Sequence, residues 1–400
     1  MQGYCLSLVT FLQFSMLFMH SLSSLSLDSI SQLPEALLVK ILSSLPTTKE
    51  VVATSVLSKQ WRSLWKMVPR LKFICESPND LQGFEDSVRR TMLSLQAPYL
   101  QSLHLDVSFL QGDIDHHIDF EELVKIARGL HVRELVIKLL SPELTVCLSL
   151  VDFQTLETLK LRGRDGSIVL EVPSPCCLKS LRTLHLEDVV VDDSVMDLLA
   201  GCVCRENLKI AAPLYSGSCL IDNAPELEEA NLFITVVILG EPLSSVKRLS
   251  LSTHMEVPAG FTFNQLEYLQ LFTVELKSWN FLMLMLDNSP NLQVLDINSD
   301  QHIEIPWTPP NHVPEYLLNL KTLNWFAKER IYGEDAAKYI LSNGRRLENV
   351  TLLMYSRQQE YFPAEEKLKV RHDFEGWCPD GCKFDCKFVS DAEAVSHCRV

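Results

Sequence analysis

A six-residue phrase with apolar side chains at its first, fourth and sixth positions returns repeatedly from residue 100 onward. It reads LQSLHL at 100–105, VRELVI at 132–137, LETLKL at 156–161, LRTLHL at 181–186 and LEEANL at 227–232. It continues as VKRLSL at 246–251, LEYLQL at 266–271, LQVLDI at 292–297, LKTLNW at 320–325 and LENVTL at 347–352. A weaker copy, RENLKI, stands at 205–210, and with it successive starts lie 19 to 32 residues apart. Pro98, Pro225 and Pro290 each precede the leading leucine of their unit by two residues. The fourth and sixth positions alternate as a strand does, so each unit offers one short strand with one face to bury. One strand cannot bury that face alone. Stacked neighbours bury it together in a parallel sheet with a continuous core, which is a solenoid of α/β class with a helical or irregular outer side. An ordinary α/β domain with leucine-rich strands is the competing architecture. The open face is the usual binding surface of such a sheet. Its expected solvent-facing positions include Ser102 and His104, Thr158 and Lys160, Thr183 and His185, Arg248 and Ser250, Tyr268 and Gln270, and Val294 and Asp296. Their mixed chemistry names no ligand.

Ahead of the repeats, Leu33 to Trp65 reads as three short helices. Pro34 suits a first helical turn. Leu37, Leu38, Ile41, Leu42 and Leu45 recur at helical spacing, and Pro46 ends that helix. Thr47 with Glu50 forms a capping-box pattern and starts a second helix carrying Val51, Val52 and Val56. Ser58 can cap a third, which holds Trp61, Leu64 and Trp65. A unit of roughly 40 residues is too small to bury so much apolar surface. That surface meets either another protein or the rest of the chain, and the residues alone leave both open.

From Asp28 to about Phe73 the sequence resembles an F-box of the form common in plant proteins. The residues that carry the likeness are Asp28, Ile30, Leu33-Pro34, Leu37, Ile41-Leu42-Ser43, Leu45-Pro46, Val56-Leu57-Ser58-Lys59, Trp61-Arg62 and Leu64-Trp65. Ser29 and Gln60 stand where that family often has arginine. The repeats resemble the irregular leucine-rich repeats found behind plant F-boxes; the family's asparagine after the strand is mostly absent, with Asn298 the nearest candidate. LENVTLLMYSRQQEYFPAEEKLK followed by CKFDCKF resembles the small FBD region that follows such repeats, with Lys367 and Leu368 in place.

The expected organisation is an apolar extension at 1–27, an F-box at 28–73, a connector at 74–99, repeats at 100–306, and the last repeats with an FBD-like region at 307–400. In the connector, Ser77 to Asp80 gives a turn, and Phe84, Val88, Met92 and Leu95 mark one amphipathic helix. Residues 1–27 contain no charged side chain and the first lysine is Lys40. A signal peptide needs a basic start, and the apolar run is short for a spanning helix. An unstructured or misassigned extension, a membrane-associating segment and a targeting segment stay open for these residues.

A net charge of −15 argues against a nucleic-acid footprint and against anionic membrane surfaces. Twelve cysteines without a regular framework, Cys147, Cys176, Cys177, Cys202, Cys204 and Cys219 among them, read as reduced, buried thiols. Cys378, Cys382, Cys386 and Cys398 with His372 and His397 fit a zinc site only in part. The alternation of Cys382, Phe384, Cys386 and Phe388 reads better as the inner face of a terminal strand. Asp113, Asp115, His116, His117 and Asp119 lack the glycine and distal glutamate of a calcium loop and read as a solvated loop. Nucleophile elbows, phosphate loops, dinucleotide fingerprints and HExxH are absent.

The resemblance implies a non-catalytic subunit of an SCF-type ubiquitin ligase, in the cytoplasm or nucleus, with no cofactor and no metal. Its F-box would dock on a Skp-type adaptor and through it on a cullin and a RING subunit. Its repeats would hold a target protein for ubiquitination. Leu33, Pro34, Leu37, Ile41, Leu45, Pro46, Leu57, Trp61, Leu64 and Trp65 are the expected docking and packing residues. The alternative is a ligand-binding repeat protein outside the cytosol that uses residues 1–27 as a targeting segment.

Overall fold

The computed structural model describes residues 33–390, apart from 110–116, 142, 151–152, 172–177, 191–205, 212–217, 222–225, 234–235, 240–242, 244, 252–253, 257–261, 273–278, 300–306, 308, 329–330, 332 and 357–361. The extension at 1–27, Asp28 and Ile30 therefore lie outside the described residues. No described helix is long and apolar enough to cross a membrane. The described residues fall into two compact units, one drawn from residues up to 148 with 153–158, the other from 149–152 and from 159 onward.

The first unit opens with three helices, α1 (Glu35–Leu42), α2 (Thr48–Ala53) and α3 (Trp61–Leu64). The predicted capping box is present: Thr47 Oγ1 accepts the Glu50 N–H at 3.4 Å and Glu50 Oε2 accepts the Thr47 N–H at 3.3 Å. Ser58 Oγ accepts the Trp61 N–H at 3.5 Å. The second helix is shorter than expected. It tightens into a 3₁₀ turn at Thr54–Val56, so Val56 leaves the helical face and is 81% exposed. A strand then follows, β1 (Arg70–Cys75), whose Leu71, Phe73 and Cys75 point inward. The connector helix α4 (Leu81–Leu93) buries Phe84, Val88 and Met92 as its spacing requires. The strands β2 (Ser102–Val107) and β3 (Glu134–Leu139) complete a parallel β1-β2-β3 ladder, with α5 (Phe120–Gly129) between them. Asp119 caps α5 by accepting the Glu122 N–H at 2.9 Å. Its companions Asp113, Asp115 and His116 lie outside the described residues.

The second unit is the long run of repeats. Its main strands are β5 (Thr158–Arg162), β7 (Thr183–Glu187), β9 (Asn207–Ala211), β11 (Glu229–Phe233), β13 (Arg248–Leu251), β15 (Tyr268–Phe272), β16 (Val294–Ser299), β17 (Thr322–Lys328), β18 (Asn349–Ser356) and β19 (Lys383–Ser390). They lie side by side in that order, and the pairs from β7 to β19 are parallel. Every phrase read from the sequence, RENLKI included, begins its strand at its third residue. The fourth and sixth positions feed the core: Leu184, Leu186, Leu249, Leu251, Leu295 and Ile297 are fully buried. The leading residues Leu181, Leu227, Val246 and Leu266 are fully buried as well. This is the physical content of the repeat, three apolar side chains per unit stacked on those of the next.

The second leg of the repeats departs from a helical or irregular path in the middle of the unit. Short strands return there: β6 (Ile168–Glu171) pairs with β8 (Val189–Val190), and β10 (Ser218–Ile221), β12 (Val236–Leu239) and β14 (His254–Glu256) form a parallel sheet of their own. Toward the C-terminus helices replace them: α6 (Asn280–Asp287), α7 (Glu334–Asn343) and α8 (Ala364–Trp377). The last strand, β19, holds the alternation expected of it. Cys386 is buried, Phe384 and Phe388 are half-buried, and Lys383, Asp385 and Lys387 point away.

Candidate protein-docking surfaces

The helices of the first unit close on a small core of Leu38, Leu42, Val51, Trp61, Leu64 and Val68. Leu33, Leu45, Leu57 and Trp65 pack on its edge and stay half-buried. Pro34, Leu37, Ile41 and Pro46 face outward, with Leu37 47% and Ile41 42% exposed. Two side chains expected at the docking site, Trp61 and Leu64, are therefore packing residues by burial, at 5% and 3% exposed. Sequence spacing missed one surface residue, Val56. It appears within the Val56-Leu57-Ser58-Lys59 motif but was expected on a helix that ends before it. Leu37 and Ile41 stand one turn apart on α1, so an apolar strip lies open on the unit.

Thr48 fastens α2 to the sheet. It is 2% exposed, and its Oγ1 accepts the backbone N–H of Lys72 at 2.7 Å. A cleft of ≈ 290 Å³ opens beside this contact, lined by Leu45, Pro46, Thr47, Arg70, Lys72, His104 and Glu134 among others. His104 Nε2 stands 3.5 Å from Glu134 Oε2. Burial pushes the Cys75 thiol on β1 up from its ordinary value.

The second surface is the sheet face of the second unit that points away from the leucines. One register row runs His185, Lys209, Asn231, Ser250, Gln270, Asp296, Asn324, Thr351 and Asp385. The sequence places Ser250, Gln270 and Asp296 in solvent, and Ser102 likewise in the first unit. All four are buried, at 3%, 3%, 8% and 5% exposed. Side chains on adjacent strands stand only about 5 Å apart, so they cover and bond one another. Ser250 Oγ donates to Gln270 Oε1 at 3.2 Å. Tyr268 Oη donates to Asp296 Oδ2 at 2.5 Å and Asn324 Nδ2 donates to Asp296 Oδ1 at 2.8 Å. The Arg248 guanidinium lies 4.0 Å over the Tyr268 ring. Asn207 Nδ2 donates to Glu229 Oε2 at 2.9 Å, and His185 Nε2 meets Asn207 Oδ1 at 2.8 Å. Burial holds His185 below its usual value and both Asp296 and Tyr268 above theirs. Asn298 lies inside β16 on this face, so it is not a post-strand asparagine.

Other expected sites resolve differently. Burial raises the Cys378 thiol to about 12 and the Cys386 thiol to about 11. Cys398 and His397 lie outside the described residues. Among the described residues no three His, Cys, Asp or Glu side chains stand close enough to hold a metal ion. Cys147, expected to be buried, is exposed on β4 (Val146–Ser149). Of the other thiols in that expectation, Cys176, Cys177, Cys202 and Cys204 and the side chain of Cys219 lie outside the description.

Comparison with known proteins agrees with this architecture. The F-box domain family matches residues 30–73. An F-box/FBD/LRR-repeat protein of Arabidopsis thaliana is 43% identical over 392 residues, covering 81% of this chain and 89% of the relative. A putative F-box/FBD/LRR-repeat protein of the same plant is 36% identical, covering 86% of this chain and 92% of its own. The chain belongs to the F-box/FBD/LRR-repeat proteins. Another of these Arabidopsis proteins is 37% identical across 87% of the chain. The F-box match coincides with α1–α3 and most of β1.

Proposed function

We propose that this F-box/FBD/LRR-repeat protein is the substrate-recognition subunit of an SCF-type ubiquitin ligase. The F-box docks on a Skp-type adaptor, which links it to a cullin and a RING subunit. The repeats hold a target protein near the ubiquitin-loaded enzyme. The chain performs no covalent chemistry of its own and works by raising effective concentration. The observation that carries the reading is the apolar strip on the F-box helices. Leu37 and Ile41 on α1 are 47% and 42% exposed, and Val56 on the 3₁₀ turn is 81% exposed, on a unit whose family docks through this segment. Exposed apolar strips of this kind mark protein contacts. Pro34 and Pro46 flank the same helix, and the half-buried Leu33, Leu45, Leu57 and Trp65 pack against the core of the unit.

The test is a binding titration of purified Skp-type adaptor against the full chain and its Leu37→Ser/Ile41→Ser variant. Binding by the parent and its loss in the variant support the assignment. A folded parent that leaves the adaptor unbound overturns it.

A further inference from the structure

We propose that the open face of β11–β16 takes its target as an extended peptide laid across the strands, its main chain recognised by Asn231 and Asn298 and one large apolar side chain seated on Phe233 and Phe272. This rests on the reading of the repeats as the target-holding half of the chain.

Asn231 and Asn298 are 3% and 5% exposed, yet Asn231 Oδ1 and Asn298 Nδ2 have no hydrogen-bond partner among the described residues. Buried polar groups are almost always paired, because an orphan keeps its full desolvation cost. The orientation of Asn231 is fixed, since its Nδ2 donates to Glu229 Oε1 at 3.3 Å. Its orphan is therefore an acceptor, whereas the orphan of Asn298 is a donor. A leucine would fill either position at similar volume without that cost. A peptide main chain carries both complements, an N–H for Asn231 and a C=O for Asn298.

The spacing suits such a chain. From β11 to β16 there are three strand steps, through β13 and β15. At ~4.8 Å per step the two asparagines are separated by ~14 Å across the sheet, the reach of about four extended residues. Phe272 is the direct register partner of Asn298, and Phe233 lies two residues beyond Asn231 on the same face. Their rings meet edge to face at 4.9 Å, and both are half-buried. A half-buried aromatic pair offers a seat for one apolar side chain. The neighbouring charges are already engaged, Asp296 by Tyr268 and Asn324, and Arg248 by the Tyr268 ring. Selection therefore falls to the amides and the aromatic seat.

The probe is a phage-displayed library of random linear peptides, panned on the full chain. Enriched peptides are then synthesised and titrated against the parent, Asn231→Leu, Asn298→Leu and Phe233→Ala/Phe272→Ala. The expected result is a consensus with one aromatic or large aliphatic residue, whose affinity falls at least tenfold in each variant. The two leucine variants should melt at or above the parent temperature, because each removes an orphan that the free chain does not use. An absent consensus, or peptides that bind Asn298→Leu as they bind the parent, overturns the proposal. Leucine variants that melt lower make the asparagines structural and also overturn it. Adaptor affinity measured on the same variants separates the two readings. Lost peptides with intact adaptor binding defeat only this proposal, and a parent that fails to bind adaptor defeats the ligase assignment.

Discussion

Tyr268 hands its phenolic hydrogen to Asp296 across neighbouring strands, at 2.5 Å from Oη to Oδ2. Burial raises the Asp296 carboxyl above its ordinary value of 3.8, against the lowering pull of the Tyr268 and Asn324 hydrogen bonds and of Arg248. The folded chain thus keeps this proton to a higher pH than the unfolded chain. The group's contribution to stability is full below 3.8 and is lost as pH rises through the folded value. Tyr268→Phe removes one of the bonds that favours the carboxylate. Asp296 should then titrate at a higher pH than in the parent, read from its carboxyl carbon by NMR. The variant should also lose about 1.5–3 kcal/mol at neutral pH, the usual worth of a hydrogen bond to a charged group. A titration that moves down, or stays in place, removes Tyr268 as the partner that holds the charge.

Trp61 and Leu37 share one small helical unit but differ in burial, 5% against 47% exposed, and their substitutions should separate. Trp61→Ala empties part of the core and should cost about 3–5 kcal/mol of stability. Leu37→Ser/Ile41→Ser touches only surface, so each change should stay within about 0.5 kcal/mol in thermal unfolding. Its expected cost is in adaptor binding, about 2 kcal/mol, which is roughly thirtyfold in Kd. Equal loss of stability in the two variants would contradict the division into core and contact strip.

The repeats were legible because their signal is local. Leu184, Leu186, Leu249 and Leu251 sit at the period of a strand, and every unit restates the pattern. The capping box at Thr47 and Glu50 was legible for the same reason. The strand Arg70–Cys75 carried an equally clean alternation, but it sits at the tail of a helical motif and was absorbed into it. The burial of Ser250, Gln270 and Asp296 was not legible, since it depends on which side chains stand beside them on neighbouring strands. Val56 was misplaced because α2 stops at Ala53, and helix ends are the least certain boundary. In the F-box helices, spacing found the apolar set, and only tertiary packing divided it into Trp61 and Leu64 within and Leu37 and Ile41 without.

Thr48 offers a test of how the helical unit is fixed to its sheet. Its hydroxyl oxygen is the acceptor for the Lys72 N–H at 2.7 Å, and the residue is 2% exposed. Thr48→Val keeps the shape and leaves that N–H without an acceptor. The expected loss is about 1–3 kcal/mol, with faster hydrogen exchange at the Lys72 amide. Thr48→Ser should restore the slow exchange. Unchanged exchange in the valine variant would mean that the contact does not protect the strand.

Among the described residues, Gly333 is a position where a single methyl group has much to displace. Its φ is +86°, and a Cβ there would stand 2.1 Å from Trp279 Cζ2. Trp279 is fully buried and its ring lies 5.6 Å from that of Trp325, so it cannot swing away as a flexible side chain would. Gly333→Ala carries about 1–2 kcal/mol for the left-handed backbone and about 1–3 kcal/mol for overpacking. The expected loss is therefore about 2–5 kcal/mol, accompanied by a change in tryptophan emission as the Trp279–Trp325 pair shifts. Gly83 is the opposite case. It lies in α4, where nothing among the described residues stands within 4 Å of an added Cβ, and Gly83→Ala should stabilise the chain by up to about 1 kcal/mol. Similar effects at the two glycines would show that the Trp279 contact does not govern the fold around Gly333.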